Sequence, residues 1–268
     1  MKLIDPSKGQ PHWGVIAMPV DCVNYQDFDL RSMMDAPLPR WRRRWAFNQF
    51  QFYGVMGPDW VAGIAWVDLK LVANCFYYVY DFRTQRMHEA SWLQPFALGS
   101  HMDVTPDRGQ ARFRQPGVEA LMQVVNGRRE IRVKDRRGVS LALDIEEPAP
   151  ASVLRVCSPS GYGRWAYTQK MAGLPVRGEI RWGDTLFTVT DACRASIDWS
   201  CGFMRRETFW NWACLAGVVD GRSVGLNLSA GVNDTGVTEN AFWIDGRRFD
   251  LTPATFTFDR YDPRSEWH

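Results

Sequence analysis

The chain has only four histidines, at 12, 88, 101 and 268, and their spacing suits no metal. Two ligands on one face need His-x-x-x-His or Glu-x-x-His on a helix, or His-x-His on a strand. None occurs, and His88-Glu89 is an adjacent pair and no more. Six cysteines, at 22, 75, 157, 193, 201 and 214, include no Cys-x-x-Cys. Scattered through a long chain, they point to reduced core thiols of a cytosolic protein. No apolar run is long enough to span a bilayer. The opening Met1-Lys2-Leu3-Ile4-Asp5-Pro6 lacks the apolar stretch of a signal peptide. The expectation is a soluble cytoplasmic protein with no integral membrane segment. Charge of one sign is lacking too: 32 basic against 30 acidic residues leave +2. That balance gives the whole chain no push toward nucleic acid. Gly-x-Ser-x-Gly is absent, and Gly161-Tyr162-Gly163-Arg164 is too short for a dinucleotide fingerprint. No cofactor is therefore expected.

Long helical periodicity is missing as well, and what fills its place is aromatic and β-like. Apolar residues make up 46% and aromatics 13%, with 13 tryptophans. That load favours strands and large concave apolar surfaces, in a chain of 268 residues that suits one broad domain or two modest ones. Residues 21–39 are rich in turn formers. Arg40-Trp41-Arg42-Arg43-Arg44-Trp45 is a basic cluster with two indoles, expected as a solvated loop or strand face; its sharper reading is an anion-binding patch with cation–π support. Strands are then expected from 45 to 52, 61–69 and 74–81. Asn126-Gly127 marks a type I′ hairpin between 118–125 and 130–134. Residues 139–146 alternate strictly, with Val139, Leu141, Leu143 and Ile145 on one face. Glu147-Pro148-Ala149-Pro150 reads as a boundary, since two prolines so close cannot continue a central strand. It divides the chain into units 1–150 and 151–268. Beyond it, strands are expected at 164–171, 176–182, 185–190, 223–228, 239–244, 247–251 and 255–258, with a short helix or coil at 191–197.

The densest polar and aromatic stretch is Asp198-Trp199-Ser200-Cys201-Gly202-Phe203-Met204-Arg205-Arg206-Glu207-Thr208-Phe209-Trp210-Asn211-Trp212. It reads as a polar turn running into a strand, with Trp210 and Trp212 on one face. A weak duplication is also visible. Aromatic strand, turn and Gly-containing return strand occur in the same order at 50–66 and 210–228, and an Asn then opens an aromatic strand at Asn74 and again at Asn240. The whole pattern is all-β: two antiparallel barrel or sandwich units packed together, with very little helix.

Several motifs carry a family resemblance. They are Pro11-His12-Trp13-Gly14, Tyr80-Asp81, Gly163-Arg164-Trp165-Ala166-Tyr167-Thr168-Gln169-Lys170, Asp198-Trp199-Ser200-Cys201-Gly202, Arg205-Arg206-Glu207-Thr208, Asp220-Gly221-Arg222-Ser223-Val224-Gly225-Leu226-Asn227-Leu228 and Glu239-Asn240-Ala241. Together they resemble a bacterial and fungal domain-of-unknown-function family (2804). It is distantly similar to the hydroxyneurosporene synthase and AttH-like group. The resemblance runs over most of the chain and is strongest at 161–246. It implies two lipocalin-like units and no specific activity. The wider group includes carotenoid hydratases and cyclases, and none of its catalytic residues maps to a position here.

Asp198, Glu207 and Glu239 sit among aromatics, where desolvation raises a carboxyl pKa. Such an acid can protonate an alkene or enol ether, and nearby indoles can stabilise the resulting cation. The expected catalytic residues are Asp198, Glu239 and Arg205. Asn240, Asn227, Trp199, Trp210, Trp212, Tyr80 and Tyr167 are expected to bind the ligand. The structural alternatives are a capped turn at Asp198 and ion pairs of Arg205 or Arg206 with Glu207 or Asp198. Lys170 shares a strand face with Arg164, Ala166 and Thr168; such a face is usually solvated, and if buried it suits an anionic head group. The expected partner is a hydrophobic small molecule, lipid- or terpenoid-like. The readings are an acid–base enzyme of hydratase, cyclase or isomerase type, a non-catalytic carrier, or a partner-binding module. A pocket holding Asp198 or Glu239 with a raised pKa and no arginine favours the first. Residue patterns leave oligomeric state open.

Overall fold

The alternation of apolar and polar side chains is realised as a run of antiparallel strands. The computed structural model describes residues 1–205, 207–231, 235–262 and 264–268. Three two-residue pieces come first: β1 (Ile4–Asp5), β2 (Gln10–Pro11) and β3 (Gly14–Val15). A short helix, α1 (Arg40–Ala46), precedes the meander β4 (Asn48–Met56), β5 (Trp60–Asp68), β6 (Val72–Asp81) and β7 (Arg86–Pro95). Next are β8 (Ser100–Met102), β9 (Gln110–Gln115), β10 (Val118–Val125), β11 (Arg128–Asp135) and β12 (Val139–Glu146). After residues 147–150 come β13 (Leu154–Pro159), β14 (Trp165–Trp182), β15 (Thr185–Thr188) and β16 (Arg194–Phe203). The last four are β17 (Asn211–Val219), β18 (Arg222–Ala230), β19 (Ala241–Ile244) and β20 (Arg247–Asp250).

Eleven strands form one path in the order β7-β6-β5-β4-β16-β14-β12-β11-β10-β9-β8. Its two ends are consecutive in sequence, so the sheet curls into a nearly closed barrel. The long strand β14 makes this possible. Its first half pairs with β13 and β16, and its second half with β12 and β15. A bulge between Ala172 and Leu174, at Gly173 with φ 83°, re-aims the strand between the two sets of partners. The sequence reading put a turn and two strands there; the bulge keeps them as one. Asn126 and Gly127, with φ 50° and 73°, make the expected I′ hairpin.

The concave face holds the main apolar core, from Tyr53, Trp66, Tyr77 and Phe113 to Leu143 and Ile197. A second cluster lines the same face further along, where Leu3, Ile4, Val20, Phe28 and Phe47 pack on Trp165, Tyr167, Trp199 and Phe203. A separate four-stranded sheet, β17-β18-β19-β20, covers β14 and β16 on their other face. Among the described residues no helix is long and apolar enough to cross a membrane.

Four local expectations are corrected. Residues 40–46 form a helix, not a loop or strand face, secured by Arg43, whose guanidinium donates to the carbonyls of Leu38 and Gln26 at 2.9 and 2.7 Å. Residues 194–197 are strand, because β16 pairs with β4 and β14 along its whole length. Residues 198–203 are the second half of that strand rather than a turn, and β17 starts only at Asn211. Residues 255–258 belong to none of the strands; Thr257 instead exchanges backbone hydrogen bonds with His268.

The small sheet sits close because Gly225 lacks a side chain. A Cβ there would lie 2.3–2.7 Å from Ala172 atoms. Gly225→Val is expected to unseat the small sheet and cost about 1–3 kcal/mol or more. Gly217→Ala, whose added Cβ meets nothing within 4 Å, is expected to be nearly neutral. Urea unfolding of the two variants checks both outcomes.

Candidate active site

β14 and β16 pair so that Lys170 lies opposite Asp198, and β4 sets Phe52 on the far side of Asp198. Period-two alternation then puts Thr168, Lys170, Ser196, Asp198, Ser200, Phe50 and Phe52 on the face turned toward the small sheet. Lys170 Nζ lies 2.5 Å from Asp198 Oδ2 and 3.3 Å from Glu239 Oε2. Glu239 comes from the connection leading into β19. Three buried charges from both sheets therefore meet at one point. Ser200 Oγ donates to Asp198 Oδ1 at 2.9 Å and lies 3.0 Å from Thr168 Oγ1.

The small sheet supplies the opposite wall. Trp212 Nε1 donates to Asn227 Oδ1 at 2.8 Å, and Asn227 Nδ2 donates to the Glu239 carbonyl at 2.7 Å. Trp212 also meets Phe52 edge-on, with centroids 5.5 Å apart. Asn240 works as a latch: its Oδ1 accepts from the Ser229 amide at 2.7 Å, and its Nδ2 donates to the Thr252 carbonyl at 3.2 Å. A cavity of about 370 Å³ opens beside this latch, lined by Ser229, Val237, Thr238, Asn240, Pro253 and Ala254 among others. The charged trio lies next to this cavity and does not line it.

Two carboxylates share one ammonium here. Burial pushes the Asp198 carboxyl above its ordinary value; the Lys170 ammonium opposes the rise and the Glu239 carboxylate adds to it. Burial disfavours the Lys170 ammonium, yet Asp198 and Glu239 outweigh it and hold its pKa above the usual value. Asp198 is the most accessible of the three, its side chain 12% exposed against 6% for Lys170 and 4% for Glu239. The thiols are poor nucleophiles. Burial pushes Cys214 up to about 11 and Cys201 well above its usual range.

The other expected site residues are spread out. Arg205 is exposed and donates to the Gly231 carbonyl at 3.2 Å. Trp210 is 55% exposed in the connection before β17. Glu207 is exposed in the same connection, and Arg206 lies outside the described residues. Tyr80 is half-buried on the outer face of β6, 5.6 Å edge-on from Phe82. Trp199 and Tyr167 project from the opposite faces of β16 and β14 to Asp198 and Lys170, and stack edge-on at 6.0 Å in the N-terminal cluster. Among the described residues no group of three or more His, Cys, Asp and Glu could hold a metal.

The chain matches, over residues 9–268, the model of the family described as a domain of unknown function, DUF2804. The chain belongs to that family. The match agrees with the motif resemblance, which runs over most of the chain and is strongest at 161–246. No curated protein sequence matches the chain. A solved structure from Nitrosomonas europaea, described as an AttH, is 12% identical; the similarity covers 79% of this chain and 70% of that one, with a TM-score of 0.53. Kievitone hydratase from Nectria haematococca is 9% identical over 79% of this chain and 65% of its own, with a TM-score of 0.46. The first of these shows a shared fold.

Two features escaped the sequence. Lys170 is the hub of the trio, and its only signal was its place on a strand face whose nearer neighbours, Ala166 and Thr168, are small. The second is a polar network on the concave face. Arg129 pairs with Glu147 and donates to Tyr53 Oη at 3.2 Å and to the Pro106 carbonyl at 2.9 Å. Beside it, Asp107 Oδ1 accepts from Gln169 at 2.6 Å and from Arg155 at 3.3 Å, and Tyr167 donates to Gln169 at 2.9 Å. Burial raises the Glu147 carboxyl against the pull of Arg129.

Lys170→Met leaves two buried carboxyls without a cation. It is expected to cost about 3–5 kcal/mol, most of which returns when Asp198→Asn and Glu239→Gln are added; denaturant unfolding measures both. A pH dependence follows as well. Between the ordinary 3.8 and the raised native value of Asp198, the native state holds a proton that the unfolded chain has lost. The stability from that proton is complete below 3.8 and is lost as pH rises through the native value. The unfolding free energy of the parent is thus expected to fall more steeply than that of Asp198→Asn over this window. Parallel slopes would contradict the raised pKa.

Proposed function

We propose that the protein is an enzyme that protonates a hydrophobic, lipid- or terpenoid-like small molecule, with Asp198 as acid, Glu239 as base and Lys170 between them. The observation that carries this reading is the ratio of charges: two buried carboxyls face one ammonium, and burial raises the pKa of the more accessible one, Asp198. A carboxylic acid whose pKa is raised holds its proton to higher pH and can deliver it to an alkene or enol ether carbon. The cation so formed would face Trp212 and Phe52. Water then adds at the cation and returns a proton to a carboxylate, which closes the cycle for a hydratase. Loss of a proton from a neighbouring carbon to a carboxylate instead gives an isomerase, and attack of a second double bond of the substrate on the cation, followed by that proton loss, gives a cyclase. Asn227 has a positioning role, fixing both Trp212 and the backbone at Glu239.

One observation favours the carrier reading: the cavity of about 370 Å³ lies beside the acids rather than around them. The two readings separate in one experiment. Organic extraction of the purified protein, followed by mass spectrometry, identifies any apolar ligand, and that compound is returned to the protein in D2O. An enzyme incorporates deuterium into it, and Asp198→Asn or Glu239→Gln slows incorporation by about 10²–10⁴-fold. Binding without exchange supports a carrier. Repeated recovery of empty protein, with no binding across a panel of apolar ligands, overturns both.

A further inference from the structure

A second surface stands apart from the acids, in residues 31–46. Five arginines and one aspartate give this segment +4, while the whole chain carries only +2, so everything outside it carries −2. The net positive charge of the molecule is therefore carried by this one short piece. Arg40, Arg42 and Arg44 are exposed on α1, and among the described residues none has a carboxylate within ion-pair distance. Arg42 lies 5.1 Å over the Trp41 ring. Trp41 and Trp45 sit one helical turn apart and are 60% and 44% exposed.

The turn just before α1 presents two apolar side chains with nothing over them. Met33 and Met34 are 88% and 89% exposed, among the most exposed large apolar side chains of the described residues. Their backbone is held firmly. Leu38 N–H donates to the Leu30 carbonyl and Ser32 N–H to the Ala36 carbonyl, both at 2.9 Å. Ser32 Oγ accepts from the amides of Met34 and Ala36 at 3.3 and 3.2 Å. Arg31 clamps the base through Asp29 at 2.7 Å and the Asp35 carbonyl at 2.9 Å. Arg43 then ties α1 to this turn through the Leu38 carbonyl. A rigid tip that holds two methionines in water has no packing purpose within the chain.

We propose that residues 31–46 are a docking face for an anionic phospholipid bilayer. Each arginine near such a surface contributes modestly, and the sum is effective only with an apolar insertion beside it. Met33 and Met34 supply that insertion, and Trp41 and Trp45 suit the headgroup boundary, where an apolar ring can keep its N–H wet. Nucleic acid would use the arginines but would leave the methionine tip without a role. The face is separate from Asp198, so the inference stands whether or not the protein is an enzyme.

The test is flotation of the full chain with vesicles of phosphatidylcholine alone and of phosphatidylcholine mixed with phosphatidylserine, with and without added salt. Binding to the mixed vesicles only, weakened by salt, is expected. The triple variant Arg40→Glu/Arg42→Glu/Arg44→Glu is expected to bind at least about a hundred-fold more weakly. Met33→Ser/Met34→Ser, which leaves every charge in place, is expected to lose about ten-fold. Equal binding to neutral vesicles, no binding at all, or full binding by either variant overturns the proposal. So does tighter binding to duplex DNA that is indifferent to the methionine pair.

Discussion

A single buried ammonium ties the two sheets of this protein together. Lys170 on β14 reaches Asp198 on β16 and Glu239 in the connection to β19, so it links the barrel wall to the sheet that covers it. Removing three charges from water is expensive, and only close geometry and further hydrogen bonds repay it. The structure provides both. Ser200, itself within hydrogen-bond distance of Thr168, adds a hydrogen bond to Asp198, and Asn227 holds the Glu239 backbone through its carbonyl. The close approach at Gly225 brings the small sheet against β14 at Ala172. An apolar seam of similar volume would be at least as stable, which is why a functional use of these charges is the more economical explanation.

The strand register decides what belongs to this site. Successive residues of β16 point to opposite faces, so Asp198 meets the small sheet while Trp199 enters the concave core. The same rule parts Lys170 from Gln169 and Thr168 from Tyr167. The protein therefore carries two polar centres on opposite sides of one wall: the charged trio outside, and the Arg129–Glu147 and Arg155–Asp107 network inside. The inner network pairs the Arg129 and Arg155 guanidinium groups with Glu147 and Asp107, and it fixes Tyr53 and Tyr167 in the core.

The meander β4–β7 and the meander β17–β20 repeat one order of strands, each opening with an aromatic hairpin. Their places differ. The first is part of the large sheet through the pairing of β4 with β16, and the second is a separate four-stranded cover. We propose that units 1–150 and 151–268 reflect an old duplication, although the barrel now closes across that boundary through the β12–β14 ladder.

Strand content, hairpin turns and the all-β class were legible because they depend on neighbours in sequence. Period-two alternation at 139–146, Asn126-Gly127 and Asp220-Gly221 speak for themselves within a few residues. Family membership was legible for the same reason, since its motifs are local strings. The burial of Asp198, Glu239, Asn227 and Asn240 was foreshadowed by their place as polar residues in apolar surroundings. Their true partner was not. Lys170 is 28 positions from Asp198 and 69 from Glu239 in sequence, and one residue of register either way would turn it to the other face. The helix at 40–46 was hidden because seven residues carry too little periodicity, and its anchors at Gln26 and Leu38 are tertiary. The sequence alone determined the all-β class, the hairpin turns and which way an alternating strand can face. Only the tertiary structure decided which faces meet, because register and sheet packing are set by contacts between residues far apart in the chain.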